Sequence, residues 1–194
     1  MNSISSLCLF CGSRPGADPA YVEAGRRLGS LMAERGIRLI YGGGNIGLMG
    51  VVAETVLAAG GEVTGIIPEF LMKYEVGDPG VTELIVVDDM HERKRRMFEM
   101  ADDFVVLPGG LGTLDELIEV TTWKQLQLHA KPVVVIDVAG YWAPLKALID
   151  GVIAGGFAHA AINELFTVVD GVDAVPSALE TAPPPRRVVL TSHL

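Results

Sequence analysis

The stretch Pro108-Gly109-Gly110-Leu111-Gly112-Thr113-Leu114-Asp115-Glu116 follows the short apolar run 104–107 and precedes a helical pattern over 117–128. A strand, a glycine turn and a helix start in succession make an anion site. The backbone N–H groups that the glycines leave open, together with the positive end of the following helix, favour a phosphate. Glu116 then lies beside that phosphate, although holding a nucleotide needs no further negative charge there. Two readings stand side by side: a carboxylate for chemistry on a sugar, or a structural cap, because Thr113-Leu114-Asp115-Glu116 has capping-box spacing. Asp115 reads as a first-turn acid favoured by the helix dipole.

Working outward, apolar and β-branched runs at 6–11, 38–41, 62–67, 83–87, 104–107, 133–137 and 165–169 alternate with longer stretches of helical period. That alternation predicts an α/β fold in which a parallel sheet is covered by helices. Asp18-Pro19 reads as the cap and first position of a helix reaching about residue 35, with Gly36 as its stop. Further helices are expected over 48–59, 90–101, 114–128 and 142–154 and after Gly171, the third opened by Asp89 and Glu92 in capping-box spacing. Residues 68–82 read as a loop or broken helix at the carboxyl end of the sheet, where open α/β sheets bind ligands. Residues 176–194, with Pro183-Pro184-Pro185, show no clear period and are expected to be flexible or to drape over a partner subunit.

Length fits one domain: 194 residues and 20.6 kDa suffice to bury a continuous core. Charges or glycines break every apolar stretch before the roughly 18 residues of a membrane span, and no secretory leader is visible, so a soluble, cytoplasmic protein with no membrane partner is expected. A net charge of −9 and a pI near 4.8 argue against a nucleic-acid partner. Cys8 and Cys11 formally spell C-x-x-C, but a spacing of three along a strand sends them to opposite faces, and no second pair completes a metal site. They read as buried reduced thiols.

A second glycine cluster, Gly42-Gly43-Gly44-Asn45-Ile46-Gly47, also lies between a strand and a helix. It satisfies G-x-G-x-x-G, but after the second strand rather than the first, so two phosphate-type turns in one sheet suit a mononucleotide better than a dinucleotide. Glycines needed only for tight turns are the alternative. The run His91-Glu92-Arg93-Lys94-Arg95-Arg96 places four cations on the third helix, most of them facing solvent. Arg93 shares a face with Met97 and Met100 and is the one drawn toward the sheet, to hold a ligand or to form an ion pair with Glu116 or Glu75. His129, His159 and His193 carry no assigned role.

Met90-His91-Glu92-Arg93-Lys94 followed by the quoted glycine stretch resembles the LONELY GUY family of cytokinin riboside 5'-monophosphate phosphoribohydrolases, often labelled lysine decarboxylase-like. Tyr41-Gly42-Gly43-Gly44, Gly47-Leu48-Met49-Gly50 and Phe10-Cys11-Gly12-Ser13 match as well, and the resemblance covers roughly residues 5–180. It implies a single-domain Rossmann-like sheet with helices on both faces over 1–180, a tail over 181–194, and a homodimer. It also implies hydrolysis of the N-glycosidic bond of an N6-substituted adenosine 5'-monophosphate to free base and ribose 5-phosphate, with no metal or cofactor. Glu116 would be the catalytic carboxylate and Arg93 its partner. Substrate contacts would come from Glu75, Lys94, Gly109, Gly110, Leu111, Gly112, Thr113, Leu114, Asp115 and Thr122, with phosphate also near Gly43 and Gly44.

The chemistry is consistent with those residue types. Breaking the C1'–N9 bond builds positive charge on the ribose, which an ionised carboxylate stabilises or attacks. Glu75 is the candidate for the acid that protonates the leaving purine. Three rivals remain: a general AMP nucleosidase using the same residues, a carrier that binds a nucleotide or cofactor without catalysis, and a dinucleotide-dependent oxidoreductase.

Overall fold

The computed structural model describes residues 4–72 and 80–182. Glu75 and most of the expected tail, 183–194, lie outside the described residues. Within them, β1 (Ser6–Phe10), β2 (Arg38–Tyr41), β3 (Val63–Pro68), β4 (Glu83–Val87), β5 (Asp103–Val106), β6 (Val133–Asp137) and β7 (Thr167–Asp170) form one sheet in the order β4-β3-β2-β1-β5-β6-β7. All pairings are parallel. These are the seven strands expected from the apolar runs, shifted by at most two residues at an end.

Alternation along the strands divides the core between two faces. Leu7, Leu9 and Cys11 pack with α1 (Pro19–Glu34), α2 (Gly47–Ala58) and α6 (Val175–Thr181) on one side. Cys8 and Phe10 pack with α3 (Met90–Met100), α4 (Leu111–Gln125) and α5 (Ala143–Ala154) on the other. The cysteines are free and buried on opposite faces, as their spacing predicts. Burial, aided by the nearby Glu116 charge, pushes both thiols above the ordinary range and keeps them protonated.

Local signals act where they were expected. The Asp18 carboxylate accepts from Ala20 N at 2.9 Å with Pro19 in the first turn, and Gly36 at φ +65° ends α1 while Ile37 N reaches back to Met32 O. The Asp89 side chain accepts from Glu92 N at 2.8 Å and opens α3. Two expectations are corrected. Helix α4 starts at Leu111, not 114: its N-cap is Gly110, with no side-chain cap, so Thr113 already lies inside the helix and the capping box it seemed to open does not form. The helix expected after Gly171 is found at 175–181, so the stretch without period does not begin at 176; Pro176 falls in the first turn, where a missing N–H costs nothing.

β1 is the point where chain order reverses: its neighbours are β2 on one side and β5 on the other. Loops leaving β1 and β5 therefore diverge and open a crevice at the carboxyl ends of the strands, where such sheets bind ligands.

Candidate functional site

Three strand-to-helix turns converge on that crevice. Gly12 N donates to Pro108 O at 3.0 Å, and Leu48 N donates to Gly12 O at 3.1 Å, tying the turns after β1, β2 and β5 into one backbone cluster. The approach is too close for side chains. A Cβ on Gly109 would lie 2.8 Å from Gly12 N and would collide with the Thr113 side chain, and one on Gly47 would run into the Ser13–Arg14 backbone. The glycines thus serve both close approach and open backbone.

A cavity of about 190 Å³ lies among these turns, walled by Ser13, Gly42, Gly110, Gly112, Arg93 and Glu116. The first turns of α4 and α2 both border it, and neither has a side-chain cap. The positive end of α4 therefore faces this small space, while α2 contributes Met49 and spends its Leu48 N–H on Gly12 O.

Arg93 reaches the cavity from α3 and is only 6% exposed. Its Nη2 donates to Gly42 O at 2.8 Å and its Nε to Ile66 O at 3.1 Å. The guanidinium is thereby clamped to the ends of β2 and β3, and it passes so close over Gly42 that a Cβ there would overlap it. Glu116 projects from the second turn of α4, half-buried, and its charge is felt by Cys11 in the same wall. The expected inward face of α3 is observed: Met97 is buried beside Arg93, while Arg95 and Arg96 stay in solvent, paired with Glu92 and Glu99.

Of the other expected contacts, Gly110, Leu111, Gly112 and Thr113 line the cavity and Gly109 borders the space next to it. Lys94 and Asp115 are turned toward each other. Lys94 Nζ sits 3.1 Å from Asp115 and 3.0 Å from Glu119, pinning α3 to α4 outside the cavity wall. Burial alone would lower the ammonium, yet the bonds to Glu119 and Asp115 leave it raised. Leu114 packs into the core between α3, α4 and α5. Thr122 is exposed, twelve residues along α4 from Gly110 and so about 18 Å away along the helix axis. Gly43, at φ +78°, abuts Ile66 and Ile67 of β3. Gly43 and Gly44 are buried behind Gly42, which takes the place in the wall expected for them. Ser13 and Met49 also line the cavity, beside Gly42 of the second glycine turn. The signal for Ser13 was its position after β1, which needs the strand order to be read. Among the described residues, no group of three or more His, Cys, Asp or Glu could hold a metal ion, and no helix is long and apolar enough to cross a membrane.

The family described as possible lysine decarboxylase matches residues 49–179. The chain is 46% identical to a probable cytokinin riboside 5'-monophosphate phosphoribohydrolase of Oryza sativa subsp. japonica, over 82% of this chain and 71% of that one. It is 48% identical to a cytokinin riboside 5'-monophosphate phosphoribohydrolase of Arabidopsis thaliana, over 78% and 70%. Among solved structures, the molybdenum cofactor carrier protein of Chlamydomonas reinhardtii superposes with a TM-score of 0.70 at 21% identity, covering 92% of this chain and 98% of that one. The molybdenum cofactor binding protein of Rippkaea orientalis gives 0.69 at 20%, covering 93% and 98%. At such identities these two structures share the Rossmann-like fold with this chain. Identity above 40% across most of the chain, on top of the family match, is of a different order: the chain belongs to the family of cytokinin riboside 5'-monophosphate phosphoribohydrolases.

Proposed function

We propose that this protein hydrolyses the N-glycosidic bond of N6-substituted adenosine 5'-monophosphates, releasing the free base and ribose 5-phosphate. The observation that carries this reading is that Arg93 and Glu116, from different helices, wall one cavity with the uncapped glycine start of α4. The 5'-phosphate rests on the N–H groups of Leu111, Gly112 and Thr113, with the Ser13 hydroxyl opposite. The ribose then extends over Glu116. As the C1'–N9 bond breaks, the ionised carboxylate stabilises the positive charge on the sugar, and water supplies the oxygen to C1' and the proton to the base. Arg93 spends two donors on Gly42 O and Ile66 O and a third on Met90 Sδ at 3.7 Å, and its remaining N–H groups serve the ribose or phosphate. Glu75 remains a proposed contact.

We also infer a homodimer acting in the cytoplasm without a nucleic-acid partner. Exposed Ile118 on α4, with Leu126 and Leu128 just beyond it, supports a subunit contact along that helix. Thr122, exposed on the same helix, would meet substrate only across such a contact.

The test is base release by purified protein from N6-isopentenyl-AMP, AMP and the dephosphorylated riboside. Release from the N6-substituted monophosphate alone supports the proposal. Comparable release from AMP makes the protein a general monophosphate nucleosidase, and no release from any of them favours a carrier.

A further inference from the structure

The reaction cavity has a larger neighbour. A space of about 340 Å³ adjoins it across Ser13 and Gly110, walled by Arg14, Pro15, Tyr21, Leu48, Pro108 and Tyr141. Its character is different, since two prolines, a leucine and two tyrosines replace the charged pair. The tyrosine rings meet edge to face with centroids 5.5 Å apart, and the Tyr141 hydroxyl donates to Gly109 O at 2.5 Å, which fixes that corner against the glycine turn. Arg14 stands exposed at the rim and makes no hydrogen bond or ion pair with any described residue. The nearby start of α1 is already capped by the Asp18 carboxylate, so the cation available to an anion here is Arg14 rather than that helix end.

From this we infer that the larger cavity receives the group attached beyond the 5'-phosphate of a nucleotide: a second phosphoryl at Arg14 and a planar, weakly polar ring against Tyr21 and Tyr141. The ligand class is the pyrophosphate-linked dinucleotide. The inference rests on the proposed seat of the phosphate at the start of α4. A phosphate there sits at the neck between the two spaces, with its ribose ester directed toward Glu116. Its remaining oxygens then face the neighbouring cavity. On this placement the ribose and base of a monophosphate run out past Glu116 rather than into the larger cavity. A dinucleotide spans both cavities, so it competes with the monophosphate, and the Arg14 contact is one that the monophosphate does not make.

Calorimetric titration with AMP, ADP and diadenosine 5',5'-pyrophosphate, run beside inhibition of base release, tests this. The dinucleotide should bind and compete. Arg14→Ala should weaken ADP and the dinucleotide by about tenfold while changing AMP binding by less than about twofold. Tyr21→Ala should weaken the dinucleotide and spare ADP. Failure of the dinucleotide to bind where AMP saturates overturns the inference. So does an equal loss of AMP affinity in Arg14→Ala, because the larger cavity then belongs to the monophosphate itself. Should AMP and the dinucleotide compete while no monophosphate is hydrolysed, the subsite stands and the hydrolase reading falls; if AMP fails to bind, both fall.

Discussion

Gly42→Ala isolates the clamp on Arg93. Gly42 is not in the left-handed region that strains other residues, so an added methyl acts through contact alone. That methyl would overlap Arg93 Nη2, 3.0 Å from Cζ and 3.4 Å from Met49 Sδ. The guanidinium must leave its place and loosen its bonds to Gly42 O and Ile66 O. Hydrogen bonds from a charged donor contribute roughly 1.5–3 kcal/mol each, so weakening two costs about 3 kcal/mol. For a chain of this size that corresponds to a fall of about 6–12 °C in Tm. The catalytic loss is larger in proportion, because misplacing a group at the reaction centre by about 1 Å costs roughly 100-fold. Base release and thermal unfolding by circular dichroism, measured together, give both numbers. The same methyl in an Arg93→Ala background should cost little more, since nothing remains for it to displace. Near wild-type turnover in Gly42→Ala, or full additivity in the double variant, would refute the reasoning.

Glu116→Ala should abolish base release with the fold intact, Arg93→Ala should come close to it, and Arg95→Ala should leave turnover near wild type; chromatography of the released base and circular dichroism check all three. Asp103 is buried beside Asp102, and burial first, then that neighbour, raises its carboxyl from 3.8 to about 6 against the pull of Lys131 and Lys124. A carboxyl raised in the folded state makes unfolding free energy fall as pH climbs from about 4 to about 6, by at most about 3 kcal/mol. Asp103→Asn should therefore raise Tm at pH 7.5 and leave it nearly unchanged at pH 4, and a lower Tm at pH 7.5 would mean the attraction of the lysines outweighs burial. Lys131 Nζ donates to Phe98 O and Ala101 O, both at 2.6 Å, and lies 4.3 Å from the Phe98 ring centroid. Lys131→Met should cost about 3 kcal/mol in denaturant unfolding by leaving the last carbonyls of α3 without their donor.

Short-range signals carried most of the architecture. Asp18-Pro19, Gly36 and Asp89 act at the bounds of α1 and α3 because caps and stops are local contacts, and seven apolar runs became seven strands because alternation needs no partner to be read. Arg93 was legible for the same reason, since its face is set by Met97 one turn away. The start of α4 was not, because Gly110 caps by shape rather than by a side chain, and Thr113 imitates a cap while sitting inside the helix. Lys94 was expected on substrate and lies on Asp115 and Glu119, an outcome set by the spacing of two helices far apart in sequence. Ser13 and the Tyr21–Tyr141 corner depend on β1 lying beside β5, a pairing that local pattern does not encode.

That pairing joins residue 7 to residue 103, and with it half the chain must be in hand before the crevice exists. Closing so large a loop is slow relative to forming local turns. A growing polypeptide that has left the ribosome only as far as β4 therefore has Gly12 and Gly42 in place but nothing opposite them. In refolding, recovery of turnover should lag behind recovery of helical signal and follow the final kinetic phase, which makes activity a clock for the closing of the sheet's middle.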